Sequence, residues 1–245
     1  MTARSFLGAG DLYIARITNG VPGSFEGPFE ANKFEIKPNS DLKESISKGR
    51  STYGQVTESV SLAKPSDFSL ELTEVNTSAL ALALMGTSSV VTQTSGAVVD
   101  EVVTAVLDKW IQLAKNNVSS VVVKNSAGTT TYVLGTDYTV DAVLGWVKPL
   151  STGTIAAGPL KISYSAAATA ATQIAGGTLA EIRAMFKFNG VNLADQSSCI
   201  VDVYEAVLAA DSAMDFLSSD FAKVGLKGRL KTPTGKVAPF VVLKY

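Results

Sequence analysis

The sequence predicts an all-β protein: a β-sandwich or barrel-like core with one short flanking helix, a long hairpin loop and a small immunoglobulin-like β insertion. Three observations predict this fold. Apolar residues alternate with polar ones over most short runs, which is the period of a half-buried strand. Turn signals containing Gly, Pro and Asn separate these runs. Only one short stretch has helical spacing. With 245 residues, 46% of them hydrophobic, the chain can fill one large all-β unit or two smaller ones.

The composition excludes whole classes of chemistry. No histidine occurs, so Ser-His-Asp and Cys-His nucleophilic arrangements are impossible and the commonest zinc ligand is missing. We therefore expect no enzymatic activity, no metal and no cofactor. The single cysteine, Cys199, alternates with Val201 and Val203 and is expected to be buried as a small hydrophobe. A net charge of −1 disfavours a basic nucleic-acid clamp and leaves little repulsion between copies.

The same composition bears on the compartment. No run of about 18 apolar residues occurs, so we expect no membrane span. The N-terminal residues contain one cation and no apolar segment, which is unlike a secretory signal peptide. A single cysteine is typical of a chain made in a reducing cytoplasm.

Composition divides the chain into three parts. Residues 1–89 and 173–245 are predicted to form one core, and residues 90–172 a small β domain inserted into it. In the first part, Phe34 and Ile36 alternate with charged residues and predict a strand. Residues 41–55 are too polar and too rich in glycine for a core and predict a long hairpin loop.

Two further strands and a helix complete the first part. The strands lie at residues 56–62 and 68–72, where apolar and polar residues alternate. For the helix, Asn76 or Thr77 offers the N-cap oxygen, Leu80 and Leu84 share one face, and Gly86 provides a left-handed end. A helix of about ten residues must pack on a sheet, so its apolar face is expected to be core.

The inserted part contains closely spaced, short β-prone runs, which favour an immunoglobulin-like sandwich. Residues 108–115 are compatible with either a strand or a helical turn. The Ala-rich residues 166–175, followed by Gly176 and Gly177, predict a linker that returns to the core.

The third part returns to long strands. Residues 182–188 alternate and are expected to end at the turn dipeptide Asn189-Gly190, and residues 199–209 predict another strand. A turn of helix is expected within residues 211–220, and a last strand at 237–245. Between them, four cations mark one strand face: Lys223, Lys227, Arg229 and Lys231. This basic stripe is either a solvated face protected by lysines or a surface that meets an acidic face of the next copy.

The order of these segments resembles the tail tube protein, or major tail protein, of phages with long, non-contractile tails (siphovirus type). The resemblance covers roughly residues 8–86 and 177–245. The residues that carry it are Leu42-Lys43-Glu44-Ser45-Ile46-Ser47-Lys48-Gly49-Arg50-Ser51-Thr52-Tyr53-Gly54-Gln55, then Ser69-Leu70-Glu71-Leu72, then Asn76-Thr77-Ser78-Ala79-Leu80-Ala81-Leu82-Ala83-Leu84-Met85-Gly86. The inserted part resembles decorating domains found in some of these proteins.

The resemblance implies a virion protein, assembled in the host cytoplasm, in which six copies close into a ring and rings stack into a tube. Double-stranded genome DNA would pass through the tube without sequence-specific binding. It also implies a tape-measure protein inside the tube, and distal tail and tail-terminator proteins as partners. The part of the chain before Pro38 would be an arm that drapes over another subunit. The hairpin would reach the neighbouring ring with Lys43, Glu44, Lys48, Arg50, Tyr53 and Gln55.

The wall of a DNA conduit must not bind the DNA that passes through it. A basic wall would bind DNA, because the contact releases counterions. A wall of hydroxyls and carboxylates would repel the phosphates and let the duplex slide. From strict alternation, one sheet face offers such a wall: Thr57, Ser59, Ser61, Ser69, Glu71 and Thr73. The other interpretation is an ordinary solvated outer face.

Two alternative functions remain open. One is an extracellular β-sandwich adhesin or carbohydrate-binding module, for which exposed aromatic residues in a planar row would be evidence. The chain has only two tryptophans, Trp110 and Trp146. The other is a tube subunit of a contractile injection system or a type VI-like secretion system.

Overall fold

The computed structural model describes residues 5–245 and confirms the all-β fold, with 58% of the chain in strands and 3% in one helix. The chain forms two compact units. The core unit comprises the chain up to Ser88 together with Ile174–Tyr245, and the inserted unit comprises Ser89–Gln173. Both boundaries lie within one residue of those predicted.

The elements follow one another along the chain in this order: β1 Gly8–Thr18, β2 Val21–Pro22, β3 Glu26–Phe29, β4 Ala31–Ile46, β5 Val56–Leu72, α1 Thr77–Ala83, β6 Thr87–Gln93, β7 Gly96–Ala105, β8 Ile111–Gln112, β9 Val118–Asn125, β10 Tyr138–Asp141, β11 Trp146–Pro149, β12 Gly158–Ala166, β13 Thr169–Ala175, β14 Ile182–Asn192, β15 Ser198–Ala210, β16 Val224–Leu230 and β17 Phe240–Lys244.

The core unit is built on one nine-stranded sheet in the order β2-β1-β14-β15-β16-β5-β4. In addition, β3 pairs with β1, and β17 pairs with β15 beyond the end of β16. The rings of Phe68 on β5 and Phe186 on β14 are only 4.9 Å apart. In a flat sheet, three strand spacings would separate them by about 14 Å. The sheet therefore curls back on itself and encloses a sandwich-like core.

The N-terminal arm is the clearest error of the sequence prediction. The structure places β1 inside the sheet, paired with β14 over nine residue pairs. Leu12, Ile14 and Ala15 are buried, and the first two belong to the core cluster. The prediction failed because the resemblance implied an arm for this segment, which is rich in Gly and Pro up to Pro38. Gly10 is needed here for close approach, since a Cβ on it would lie 2.3 Å from the carbonyl oxygen of Asn189.

The short helix was predicted correctly at its start and wrongly at its end. The side chain of Asn76 accepts a hydrogen bond from the N–H of Ala79 at 2.9 Å, which makes Asn76 the N-cap. Met85, with φ of 48°, and not Gly86, has the left-handed conformation after the helix. The buried face consists of Ala79, Ala81 and Leu82, whereas Leu80 and Leu84 are half-buried.

Three other local predictions differ from the structure. Asn189-Gly190 does not form a turn, because β14 continues through it to Asn192 and Gly190 pairs with Cys199. Residues 211–220 contain no helix. Residues 169–175 form a strand that pairs with β6, where a linker was expected. Cys199, in contrast, is buried in the core as predicted.

The inserted unit contains two three-stranded antiparallel sheets, β7-β12-β9 and β10-β11-β8, with a core of their own. Residues 108–115 include the short strand β8, flanked by turns. Val123, Val147 and Ile162 are fully buried in this second core. A separate apolar core in each unit explains why the insertion can interrupt the chain without interrupting the nine-stranded sheet.

Candidate assembly surface

The hairpin β4–β5 is the most exposed regular element of the core unit, and it has two halves. The near half, residues 31–37 and 67–72, belongs to the sheet, because its β5 strand also pairs with β16. The far half, residues 39–46 and 56–64, pairs only within itself and leaves both of its outer edges free of β partners among residues 5–245. From Asn39 to Ile46 it extends about 24 Å beyond the near half.

The turn of the hairpin is held by its own hydrogen bonds. The Ser47 N–H donates to the carbonyl of Gln55 at 2.8 Å, and the Gly54 N–H donates to the carbonyl of Ser47 at 2.9 Å. Gly54 has φ of 85°, a conformation that few other residues adopt. The hydroxyls of Ser47 and Thr52 lie 2.6 Å apart. The tip is thus an ordered structure and not a loose loop.

A β-bulge separates the two halves. Lys37 pairs with Asp67 but Asn39 pairs with Lys64, so β5 carries one residue more than β4 at this point. Because paired residues of an antiparallel ladder share a face, the extra residue exchanges the two faces of β5. Ser69, opposite Glu35, and Ser61, opposite Leu42, therefore lie on opposite faces of the hairpin.

The bulge divides the predicted lumen residues. Ser59 and Ser61 lie on the face that continues the core side of the near half, here called the core-side face. Ser69 and Glu71 lie on the opposite, outer face. Strict alternation predicted that these four residues share one face, whereas the pairing of the strands puts them on two opposite faces.

The two remaining lumen candidates occupy special positions. Thr57 lies next to a second register shift, and its hydroxyl donates to the carbonyl of Ser45 at 2.9 Å. Thr73 follows the end of β5, and its N–H donates to the carbonyl of Glu30 at 3.0 Å. Neither therefore extends a regular hydroxyl row.

The far half exposes apolar side chains on both faces. Leu42 and Ile46 lie on the core-side face, and Val60 and Leu62 on the outer face. Val56 pairs with Ile46, so it does not share the face of Val60 as alternation predicted. All five are between 50% and 58% exposed. Isolated two-stranded hairpins are at best marginally stable in water, and grouped exposed apolar side chains are typical of interaction surfaces.

The predicted inter-ring residues all lie on this far half or its turn. Lys43 and Glu44 are in β4, and the other four, Lys48, Arg50, Tyr53 and Gln55, are in the turn. Tyr53 is largely exposed. Lys43 and Lys64 both approach Asp41, at 3.2 and 3.1 Å. These charged residues keep the free edges soluble while no partner is present.

The basic stripe lies on the outer face and meets acids of its own chain. Lys223 contacts Glu71 at 2.9 Å, Arg229 contacts Asp67 at 3.6 Å and Lys231 contacts Glu205 at 3.2 Å. The hydrogen bond from Lys223 is the main cause that lowers the pKa of Glu71. The sequence prediction considered only solvent or the next copy as surroundings. Neighbouring strands brought these acids close, which alternation within one strand does not reveal.

Lys227 joins a similar mixture of charges. It lines a shallow cleft with Lys33, Glu35 and Asp211. The hydrogen bond from Lys33, 2.7 Å away, is the main cause that lowers the pKa of Glu35, and Lys227 adds to the effect. The outer face of the near half is therefore charge-balanced and not acidic.

The tryptophans of the inserted unit form a contact pair. Their ring centroids are 6.3 Å apart and their planes are tilted by 45°, and the ammonium of Lys148 lies 5.2 Å from the Trp110 centroid. A platform for stacking sugars would need rings in one plane. The two tryptophan rings therefore do not form the planar row that would be evidence for a carbohydrate-binding module.

Two other kinds of site are absent from the residues that the structure describes. Within residues 5–245, no group of three or more metal-ligating side chains could hold an ion. In the same residues, no helix is long and apolar enough to cross a membrane. The surface that the sequence missed is the loop between β15 and β16, where Phe216, Leu217 and Phe221 are exposed. In the sequence, this loop could have been recognised because large apolar residues stand next to aspartates there without the regular spacing of a strand or a helix.

Comparison with known sequences gives one assignment. A search of curated proteins finds no match. A family model, in contrast, matches residues 5–239, which include the inserted unit, the hairpin, the loop after β15 and the described core unit as far as the start of β17. The chain belongs to the family described as protein of unknown function UCP028589.

Proposed function

We propose that this protein is a phage tail tube protein, a structural protein of the virion that closes into hexameric rings and stacks into the conduit for genome DNA. The observation that carries the proposal is the far half of the β4–β5 hairpin. It combines regular β pairing, free edges and exposed apolar side chains on both faces. These properties suit a segment that becomes buried between copies of the chain.

Ring closure is the arrangement that best accounts for free edges. An open sheet with unpaired edges is prone to uncontrolled association, and closure into a barrel removes the edges. The core unit has such an edge at β4, which among residues 5–245 pairs only with β5. A head-to-tail contact that closes gives a ring, and a second contact along the axis gives a filament. The far half, about 24 Å long, is long enough to reach an adjacent ring.

The charge distribution supports passage of DNA without binding. The chain has a net charge of −1, and the cations of the outer face stand beside Asp67, Glu71 and Glu205. A balanced surface releases few counterions on meeting DNA, so it provides little affinity. A tape-measure protein in the bore, and distal tail and tail-terminator proteins at the ends, are part of the proposal through the resemblance.

The test is negative-stain electron microscopy of the concentrated protein, with a mass measurement in parallel. Rings of six copies, or hollow tubes with a bore wide enough for a DNA duplex, are the expected result. Assembly of a tube can require an initiator, so the experiment is repeated with extract containing tail tips. A monomer under both conditions contradicts the proposal.

A further inference from the structure

The loop between β15 and β16 carries more exposed apolar surface than a free loop normally does. In residues 211–222, here called the anchor loop, Phe216, Leu217 and Phe221 are 69%, 96% and 98% exposed. Large apolar residues grouped in this way mark interaction sites. The loop also contains three aspartates and no cation: Asp211, Asp215 and Asp220. It is therefore an acidic loop with apolar anchors.

A groove of the core unit has the complementary character. It has a volume of about 690 Å³ and is lined by apolar side chains that include Pro65, Leu230 and Phe240. This volume lies within the range of grooves that hold ligands or several side chains, about 300–1,000 Å³. Three cations also line it: Lys64, Arg229 and Lys231. An apolar floor with a basic rim fits an acidic loop with apolar anchors.

The cations of the groove have more N–H donors than their acidic neighbours occupy, so they can also bind the carboxylates of a partner. Each has one acidic neighbour in its own chain: Asp41 for Lys64, Asp67 for Arg229 and Glu205 for Lys231. None of these three acids lines the groove. The cationic side chains remain more than half exposed, and a lysine has three N–H donors and an arginine five. Carboxylates of an incoming loop can therefore be bound at the rim.

The loop and the groove lie at opposite ends of one strand. The anchor loop leads into Val224, the first residue of β16, and the groove includes the residues at and after its end, Arg229–Thr232. The strand is about 20 Å long. Two complementary surfaces at opposite ends of one subunit make a heterologous contact, which repeats from copy to copy.

We propose that the anchor loop docks into this groove of a second copy of the chain. The apolar anchors fill the groove, and the three aspartates face Lys64, Arg229 and Lys231. The inference deepens the proposed function and rests on it, because it names one contact by which copies of the tube protein join. It involves the far half of the hairpin only at its base, through Asn39, Ala63 and Lys64, and none of the five exposed apolar residues of that half, so the two contacts can be tested separately.

Trapping between copies tests the docking directly. Two single substitutions, Leu217→Cys in the loop and Thr232→Cys in the groove, are made in separate chains, one of them lengthened by a tag. The two proteins are mixed at assembly concentration and oxidised. A disulfide-linked dimer of the long and short chains is expected. The wild type, whose only thiol is the buried Cys199, shows background oxidation. Leu217→Cys mixed with Ser126→Cys, an exposed turn residue of the inserted unit, is the control for random collisions.

The outcomes separate the inference from the proposed function. Tubes without the loop–groove disulfide overturn the docking and leave the tube intact. The disulfide without tubes supports the docking and contradicts the tube. Neither disulfide nor tubes overturns both.

A matched pair of exposed residues gives a second measurement. Phe216→Ser is expected to raise the protein concentration needed for association by about 30-fold, the effect of removing a binding hot spot. Val143→Ser, at a residue 68% exposed against 69% for Phe216, is expected to leave it unchanged. Equal effects of the two substitutions would overturn the docking.

Discussion

The near and far halves of the β4–β5 hairpin are the same two strands in two different situations. Each half carries five large apolar side chains. In the near half, Phe68, Leu70 and Leu72 are buried, and Phe34 stacks on Phe188 with centroids 5.4 Å apart. In the far half, all five stay at least half exposed. The difference is the covering: β14 and β16 stand against the near half, and nothing in the described chain covers the far half. Apolar content in a strand therefore does not tell whether its partner belongs to the same chain.

The largest expected effect is on stability, in the near half. Phe68→Ala should lower the free energy of unfolding of the core unit by about 3–5 kcal/mol, since the ring is fully buried between Phe34 and Phe186. Leu62→Ala in the far half should change it by less than about 0.5 kcal/mol.

The probe must be chosen for the core unit. Trp110 and Trp146 both lie in the inserted unit, so tryptophan fluorescence follows that unit. Hydrogen exchange of the β15 amides follows the core. A similar loss of β15 protection in both variants would remove the distinction between the halves.

The second effect is on assembly, in the far half. The double substitution Leu42→Ser and Ile46→Ser removes two apolar side chains from the core-side face without touching the core. We expect the unfolding free energy to change by less than about 0.5 kcal/mol and, under the proposed function, the concentration needed for tube formation to rise by about 30-fold. Sedimentation of the polymer measures this concentration. Glu58→Ser on the outer face is the control, and an equal loss of assembly in it would show that the effect is not apolar.

Most of the architecture of the near half could be predicted from the sequence, and the faces of the far half could not. Alternation around Phe34 and Phe68 was enough to predict two strands with a buried face. Apart from Pro65, the residues of the bulge at Lys64–Asp67 carry no sequence signal that would predict it. The bulge nevertheless exchanges the faces of β5. Alternation predicts which residues share a face only within a regular stretch of strand. One extra residue makes the prediction wrong for the residues beyond it.

The predictions outside the hairpin show the same limit. The N-terminal strand β1 was missed because the resemblance implied an arm there, whereas Gly10 allows β1 to pack closely against β14. The partners of the basic stripe were missed because Asp67 and Glu205 come from other strands. The burial of Cys199 was predicted correctly because it depends only on its own strand. Properties set by strand pairing require the structure.

Under the proposed function, a third effect concerns DNA passage and distinguishes the two faces of the hairpin. The bulge means that Ser59 and Glu71 cannot line the same wall of a bore. If the outer face of the near half lines the bore, Glu71→Lys should slow genome ejection and Ser59→Lys should not, because a new cation would bind phosphate. The reverse result assigns the core-side face of the far half. Ejection kinetics measured on intact virions of both variants decide between them, and normal rates in both would remove both faces from the bore.

The smallest expected effect is the pH dependence contributed by Glu71. Its pKa is lowered from 4.5, chiefly by the hydrogen bond from Lys223, so its ionised form is favoured in the folded state. The resulting stability is fully present above pH 4.5 and is lost as the pH falls through the lowered pKa.

Glu71→Gln should therefore lower the urea midpoint of the core unit at neutral pH, and the difference from the wild type should vanish in acid. The pair is exposed, so the difference is expected to be slight. Glu58→Gln removes a far-half carboxylate that forms no ion pair within residues 5–245, and at neutral pH its midpoint should equal that of the wild type. A deficit of Glu71→Gln that persists unchanged in acid would show that Glu71 acts through packing, and that charge pairing does not distinguish the two halves.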